Sequence, residues 1–380
     1  MTTRTLVTYF LRLGAVGFGG PIALVERMHR ELVEERRWFT EQEYREGVVL
    51  AQLAPGPLAA QLAMYLGWVR GGTVGAALAG IAFVAPSLVM VLALSILYVR
   101  FDGIAWLQDA FYGVGAAVIA VIARSTVKLA RTTLGTDLLL WSLFAVNAAI
   151  TVWTESERIS VIAASGILVV AIRARLRPRG VAGAATVLVP PWLVGGVAAV
   201  ASAGGAADVF WFFAKAGMLV FGSGLAIVPF LYGGVVERFG WLTERQFLDS
   251  IAVSMLTPGP VVITVAFIGY LVAGVTGALA AAAGVFLPAY LVVVLTASHF
   301  HRLARSARTR AFVDGVTTAV TGALAGAVVV LGRRAVVDLA TAALSAGSLV
   351  LLLRWRRASE PLLLLAAAAI GISLRRAAAP

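Results

Sequence analysis

Two Pro-Gly-Pro tripeptides interrupt apolar stretches of this sequence, at residues 55–57 and 258–260. Proline removes a backbone donor and clashes with the preceding turn, so it disfavours a helix interior by about 3 kcal/mol or more. A helix that begins after such a break presents unsatisfied N–H groups and the positive end of its dipole. The tripeptides therefore predict two helix ends that can bind an anion.

The composition indicates that these breaks lie in a membrane. Of the 380 residues, 60% are hydrophobic and 13% are charged, and apolar runs alternate with short Arg-rich clusters along the chain. That pattern is typical of a multi-pass helical membrane protein. The net charge of +12 is divided among these clusters, as expected for loops at the inner (cytoplasmic) membrane rather than for a nucleic-acid-binding face. We expect the first apolar run, residues 6–24, to be retained and not cleaved as a signal peptide.

The sequence does not indicate an enzyme. It contains no cysteine, which excludes disulfides, thiolate metal sites and cysteine nucleophiles. No Ser/His/Asp set, phosphate-binding glycine loop or cluster of metal ligands stands out. His299 and His301, beside Arg302, are expected in a loop at the level of the lipid headgroups. We therefore expect no catalytic residues, no cofactor and no metal.

The chain contains an internal repeat. A shift of 203 residues lays 10–21 over 213–224 and one Pro-Gly-Pro over the other, and after residue 73 a shift of 202 pairs Pro86 with Pro288. We divide the chain into a first repeat, a linker and a second repeat. Their bounds are 1–178, 179–212 and 213–380, and the linker includes an apolar run at 186–203.

Each repeat predicts the same series of helices. A broken apolar segment, a polar amphipathic helix and a second broken segment precede four further apolar segments. Capping-box sequences at Thr40 and Thr243 predict that the second broken segments begin a helix at equivalent places. The apolar stretches lack the alternation of strands, so the predicted fold class is an all-α polytopic membrane protein. The segments of the first repeat are 6–24, 25–38, 41–69, 74–98, 104–123, 138–153 and 159–172.

The broken segments allow two interpretations. Each is either a kinked helix that spans the membrane or a re-entrant hairpin that reaches the midplane and returns. Re-entry divides the loop Lys and Arg residues more unevenly between the two sides, with a cytoplasmic N-terminus, so the positive-inside bias favours it. We expect the two repeats to be inverted, because an odd number of crossings per repeat brings both sets of tips to one depth.

The tip residues are candidates for substrate binding. Arg12 falls over Lys215 in the repeat. A cation at membrane depth costs at least about 2.5 kcal/mol, so this pair indicates a ligand that neutralises it, such as a dianion. Snorkelling to the headgroups is the alternative for the cations. The polar residues that flank the tips are predicted to donate hydrogen bonds to the ligand, and helix-helix hydrogen bonding is their alternative. The predicted set is Arg12, Gly19, Gly20, Pro21, Gln52, Pro55, Gly56, Pro57, Gln61, Lys215, Gly222, Ser223, Gly224, Thr257, Pro258, Gly259, Pro260 and Thr264.

Two carboxylates are candidates for proton coupling. Glu46 falls over Asp249, and both lie near the mouth of the second broken segment. Carboxylates in the first turns of a helix also compensate its dipole, which is the alternative interpretation.

These motifs resemble the chromate ion transporter family over essentially the whole chain. The resemblance rests on an FGGP or FGSG stretch with a basic residue upstream, a W-(F/L)-T-E step and Pro-Gly-Pro, all in two copies. It implies two homologous domains of opposite orientation and efflux of chromate, with sulfate as an analogue, driven by the membrane potential or a proton gradient. The motif positions that it adds are Gly14, Phe18, Gly217 and Phe221. Because the second glycine cluster is GSG and Gln52 lies opposite Met255, we do not expect the two half-sites to bind a ligand identically.

The resulting hypothesis is a secondary transporter, an antiporter that moves a tetrahedral oxyanion by alternating access through a midplane site. An anion channel that uses the same site and an exporter of a small organic anion are the alternatives. The expected partners are chromate or sulfate and the lipid bilayer, and a homodimer is one assembly that the sequence allows.

Overall fold

The computed structural model describes residues 2–18, 20–101, 105–155, 159–175, 205–220, 224–298, 306–355 and 359–378. Within these ranges the regular structure is entirely helical. The first half contains α1 (Thr3–Val16), α2 (Gly20–His29), α3 (Glu41–Leu53), α4 (Leu58–Arg100), α5 (Ala105–Leu134), α6 (Leu138–Thr154) and α7 (Ile159–Arg175). The second half contains α8 (Ala206–Gly217), α9 (Val228–Tyr232), α10 (Glu244–Leu256), α11 (Thr264–Ala297), α12 (Ala307–Ala335), α13 (Leu339–Arg354) and α14 (Glu360–Ala378). The predicted linker run, 186–203, lies outside the described residues, as do His299 and His301.

Local structure recurs at the spacing that the sequence predicts. The capping boxes at Thr40 and Thr243 are confirmed, since each side chain accepts a hydrogen bond from the third helical amide and each partner side chain returns one. A π-helical turn follows α2 at Arg30–Glu35 and follows α9 at Gly233–Arg238. The amphipathic helix expected at 25–38 is not separate from the apolar one, because helical structure runs unbroken from Gly20 to the end of this turn.

Helix α4 is two helices joined at a sharp turn. Gly71 (φ −146°) and Gly72 (φ 58°) are non-helical, and the turn separates α4a (58–70) from α4b (73–100). A Cβ built on Gly67 would lie 2.3 Å from the carbonyl oxygen of Gly75, so the two parts fold back on each other. The same turn divides α11 at Ala273 and Gly274 into α11a (264–272) and α11b (275–297).

This turn corrects the predicted register. The turn pairs Gly71 with Ala273, so the change from a shift of 203 to one of 202 occurs before residue 67 and not after residue 73. The physical reason is the 3-10 turn Val261–Ile263 that precedes α11. Three residues at about 2.0 Å rise span about 1.5 Å more than in an α-helix, which replaces one helical residue.

The second broken segment of each repeat is an antiparallel helical hairpin. In hairpin B1, formed by α3 and α4a, Gly47 packs against Leu62 and Tyr65. At its mouth, Arg70 pairs with Glu43 at 3.3 Å. Hairpin B2 is formed by α10 and the segment 261–272, and Ser254 and Thr264 meet across it at 2.5 Å between hydroxyl oxygens.

The first broken segment of each repeat also folds back. In hairpin A1, formed by α1 and α2, Nη1 of Arg27 donates to the carbonyl of Val16, and the Tyr9 ring lies 6.0 Å from that of Trp38. In hairpin A2, formed by α8 and 224–238, the ring of Phe212 stacks on that of Phe230 at 5.4 Å. Each repeat therefore supplies two hairpins with one irregular tip apiece.

Helix α4b connects the mouths of B1 and B2. It begins just after Arg70, which lies at the mouth of B1. Near its other end, the hydroxyl of Tyr98 donates to Asp249 of α10 at 2.8 Å, and Arg245 of α10 donates to the carbonyl of Gln108 at 3.0 Å. The 28 residues of α4b span about 42 Å. The two mouths therefore lie at opposite ends of this helix.

The last two helices of each repeat pack against a helix of the other repeat. Helices α6 and α7 pack on α12, and α13 and α14 pack on α5. Glycines allow the contact: a Cβ on Gly113 would lie 2.0 Å from the carbonyl oxygen of Ala367, and one on Gly315 would lie 2.7 Å from that of Ser165. These matched close approaches fix each repeat to the other.

Among the described residues, four helical stretches are long and apolar enough to cross a membrane. They are Leu58–Arg100, Gln108–Leu134, Val261–Ala297 and Ala307–Ala335. Shorter apolar helices are Leu138–Thr154, Ile159–Ala174 and Leu339–Arg354. This arrangement is that of a multi-pass membrane protein.

Candidate anion-binding site at the hairpin tips

The four hairpin tips meet in two pairs. The amide of Gly56, in the tip of B1, donates to the carbonyl of Val220 in the tip of A2 at 2.7 Å. The amide of Gly259, in the tip of B2, donates to the carbonyl of Gly17 in the tip of A1, also at 2.7 Å. Each bond joins one repeat to the other, and the two bonds involve equivalent residues.

Glycine is required at both crossings. Gly56 (φ 141°) and Gly259 (φ 102°) have left-handed backbone. A Cβ on Gly259 would lie 1.8 Å from Oγ of Ser87, and one on Gly56 would lie 2.9 Å from Cβ of Ala289. Ser87 lies near the middle of α4b, so the tip of B2 lies midway between the two mouths.

The flanking prolines end one helix and start the next. Pro57 is the N-cap of α4a, and Pro260 is the N-cap of the 3-10 turn. Pro21 is the second residue of α2, and Pro57 immediately precedes the first residue of α4a. Neither position needs the missing N–H.

The first turn of α4a leaves buried amides without a helical acceptor. Leu58, Ala59 and Ala60 are buried and begin the helix, and the first intrahelical bond runs from Gln61 N to the carbonyl of Pro57 at 2.9 Å. In B2 the 3-10 turn lets the amide of Ile263 donate to Pro260 at 2.9 Å. Counting only bonds between described residues, the tip of B1 therefore has one more free amide than the tip of B2.

Gln61 lies at this helix end with one of its two side-chain N–H donors already used. The side chain is fully buried, and Nε2 donates to the carbonyl of Pro55 at 2.8 Å. Its Oε1 is buried and has no hydrogen-bond partner in the described part of the chain. The sequence predicts a donor here, whereas the side-chain atom left without a partner among the described residues is the acceptor Oε1.

The hydroxyls predicted as donors have protein acceptors. Thr257 donates to the carbonyl of Ser254 at 3.0 Å, and Thr264 donates to Ser254 Oγ or to the carbonyl of Val261. Gln52 is exposed on α3, whereas its counterpart Met255 is 5% exposed. The polar set is therefore divided between one buried acceptor, two bonded hydroxyls and one exposed amide.

The paired cations differ in exposure. Arg12 is exposed, on the face of α1 opposite to the buried Phe10 and Leu13, and Lys215 is half-buried near the end of α8. Neither has a hydrogen-bond or ion-pair partner among the residues that the structure describes. Both lie five residues before the carbonyl that accepts the crossing bond. Gly19, Gly222, Ser223 and Phe221 lie outside the described residues, Gly20 (φ 74°) begins α2, and Gly224 is buried in a 3-10 turn.

The two carboxylates both bond to tyrosine. Glu46 is half-buried in B1 and accepts from the hydroxyl of Tyr65 at 3.3 Å. Asp249 is 3% exposed and accepts from Tyr98 of the other repeat. Tyr98 and Ser87 were not predicted from the sequence. The matched Pro86 and Pro288 could have indicated Ser87, because it directly follows Pro86.

An ionic cluster lies at the mouth of B2. Arg334 bonds to both Glu155 and Glu244, and so joins α12 to the end of α6 and the start of α10. Partial burial, together with the charges of Glu155 and Glu244, raises the pKa of Glu237 to about 7. This mouth is therefore a charged contact between elements of the two repeats.

Comparisons with known proteins assign the chain to a family. The sequence model described as "Chromate transporter" matches residues 4–170 and 207–372. The chain belongs to the chromate transporter family. The two matched regions, one in each half, support two repeats in this member of the family.

Similar members of the family cover almost its full length. The chain is 53% identical over 386 residues to the "Chromate transport protein" of Cupriavidus metallidurans, covering 98% of this chain and 93% of that protein. It is 52% identical over 379 residues to the "Probable chromate transport protein" of Synechococcus elongatus, covering 97% and 95%. It is 34% identical over 343 residues to the "Chromate transport protein" of Pseudomonas aeruginosa, covering 88% and 82%. No solved structure matches the chain.

Proposed function

We propose that this chain carries chromate, a tetrahedral oxyanion, across the membrane and binds it where the four hairpin tips meet. Membership of the chromate transporter family supports the substrate. The reciprocal bonds of Gly56 and Gly259 support this location, because they bring the tips that precede two helices together. The amides of Leu58 to Ala60 have no helical acceptor and can bind an anion there. Sulfate, which has the same shape, is the natural competitor.

The proposed topology is an inverted pair of repeats with re-entrant hairpins. The antiparallel packing of B1 and B2 supports re-entry, since both ends of each hairpin lie at one mouth. The mouths at opposite ends of α4b support inversion, because a helix of about 42 Å is long enough to cross the bilayer. Irregular backbone at the tips then lies at the midplane, shielded from lipid by protein.

Alternating access is proposed from the unequal exposure of equivalent positions. Val16 of A1 is 46% exposed, whereas Leu219 of A2 is 5% exposed. Gln52 of B1 is exposed, and Met255 of B2 is 5% exposed. In both pairs of tips, the tip from the first repeat has the more exposed residue. Exchanging the two environments, by rocking one repeat against the other, would open the site to the opposite side.

Outward transport at the inner membrane, coupled to protons through Glu46 and Asp249, completes the proposal. The buried position of Asp249 between the repeats supports it, since an ionisable group buried in the protein is a candidate proton carrier. Arg12 and Lys215 are proposed to attract the anion toward the tips.

The crossing glycines provide the test. We expect Gly56→Ala and Gly259→Ala each to lower saturable chromate uptake into proteoliposomes at least about tenfold, because the added methyl group would collide with Gln61 and Ala289 at the first glycine and with Ser87 at the second. Gly240→Ala is the matched control: Gly240 also has positive φ (59°), but a Cβ there meets nothing within 4 Å. Its expected effect is on stability alone, at about 1 kcal/mol.

Undiminished saturable transport by both Gly56→Ala and Gly259→Ala would contradict a binding site at the tips. Flux that does not saturate and shows no counter-transport would favour a channel, and competition by carboxylates but not by sulfate would favour an organic-anion exporter.

A further inference from the structure

The buried amide of Gln61 has a fixed orientation. Its Nε2 donates to the carbonyl of Pro55, which can only accept. Exchanging Nε2 and Oε1 would place two acceptors together, so the amide cannot rotate without losing this bond. Oε1 is therefore held in place as a buried acceptor with no hydrogen-bond partner among the described residues.

This acceptor belongs to the helix turn that also carries several free amides. Gln61 is the fourth residue of α4a, and side chains of a helix point back toward its N-terminus. The amide packs on the tip, since a Cβ on Gly56 would lie 2.5 Å from Nε2 and 2.8 Å from Cδ. The free amides of Leu58, Ala59 and Ala60 belong to the same turn. An oxyanion at this turn would meet several donors and one acceptor.

An acceptor distinguishes protonation states of the ligand. A fully ionised dianion offers only lone pairs, so its oxygens repel a carbonyl oxygen. A monoprotonated oxyanion offers one O–H, which satisfies the carbonyl while its other oxygens accept from the amides. A buried polar group left without a partner costs about 1–3 kcal/mol, so the difference between the two ligands is large enough to select one.

We propose that Gln61 Oε1 accepts a hydrogen bond from a monoprotonated oxyanion and thereby makes the site prefer hydrogen chromate to sulfate. Chromate takes up its proton near neutral pH, whereas sulfate stays fully ionised until strongly acid pH. The inference rests on the proposed transport of chromate at the tips. B2 has no such group, because the hydroxyl of Thr264, the fourth residue after its Pro-Gly-Pro, has protein acceptors.

The test compares two variants that both lack the side-chain amide group whose Nε2 donates to Pro55. Gln61→Met also removes the acceptor, whereas Gln61→Glu keeps one. Initial rates of chromate uptake into proteoliposomes are measured on both sides of the second ionisation of chromate, with sulfate as competitor. We expect Gln61→Met to reduce the preference for chromate over sulfate about tenfold and to flatten the pH dependence of KM. Gln61→Glu is expected to keep both properties.

Gln108→Met controls for the loss of a glutamine amide, since the Gln108 side chain is exposed at the start of α5. Equal loss of preference in Gln61→Met and Gln61→Glu would overturn the inference, as would a wild-type KM that does not change across the ionisation of chromate. The second result would mean that a water molecule satisfies Oε1. If Gln61→Met does not fold, the inference is tested by the pH dependence of the wild-type KM and by the preference of Gln61→Glu for chromate over sulfate. Absence of saturable chromate uptake by the wild type would instead refute the proposed function.

Discussion

The tips of B1 and B2 have the same backbone plan and different chemistry. Both carry Pro-Gly-Pro, and both donate the glycine amide to a carbonyl of the other repeat at 2.7 Å. In B1 an α-helix follows at once, and Gln61 keeps a buried acceptor. In B2 a 3-10 turn follows, and Thr264 bonds to its own hairpin.

This difference separates the requirements of the scaffold from those of the ligand. The crossing needs glycine at equivalent places in both repeats, because backbone approaches side chains closely there. The residues after the second proline are free to differ, since the crossing bonds do not involve them. The unequal tips agree with a ligand held mainly by B1.

Substitution of the two carboxylates tests the difference between the repeats and has the largest expected effect on transport. We expect Asp249→Asn to abolish chromate transport driven by a proton gradient, because Asp249 is buried between the repeats and its amide replacement cannot take up a proton. Glu46→Gln should retain coupling in part, since Glu46 is half-buried and bonds within its own hairpin. The measurement is uptake into proteoliposomes with and without an imposed pH gradient.

Exchange of chromate down its own gradient is the control for folding, because it needs no net transfer of protons through the carboxylates. Equal losses of gradient-driven transport in the two variants would contradict the proposed inequality between the repeats.

The cations provide a smaller test. Lys215→Ala should raise the KM for chromate about fivefold, because a half-buried charge is only partly screened. Arg12→Ala should raise it about twofold, and this effect should disappear at high salt, because Arg12 is exposed. KM is measured over a range of ionic strength. An unchanged KM in the double variant would exclude both cations from anion attraction.

The sequence predicted the elements that depend on local rules. Capping boxes at Thr40 and Thr243 and the interruption at each Pro-Gly-Pro follow from hydrogen-bonding preferences of a few neighbouring residues, and the structure confirms them. The all-helical class follows from composition in the same way.

The features that depend on three-dimensional contacts were not predictable. The role of Gln61 as an acceptor depends on which group its Nε2 meets, and the repeat alignment does not contain that information. The register change before residue 67 arises from a 3-10 turn that ungapped alignment cannot detect. The exposure of Arg12 depends on which face of α1 packs against α4.

The most direct test of the anion site is a structure of the protein with chromate, with chromium located by its anomalous scattering. Our account predicts one chromium peak at the start of α4a, within hydrogen-bond distance of the amides of Leu58 to Ala60 through its oxygens and beside Oε1 of Gln61. A peak elsewhere along the transport path, with the tips of B1 and B2 packed as in the free protein, would contradict it.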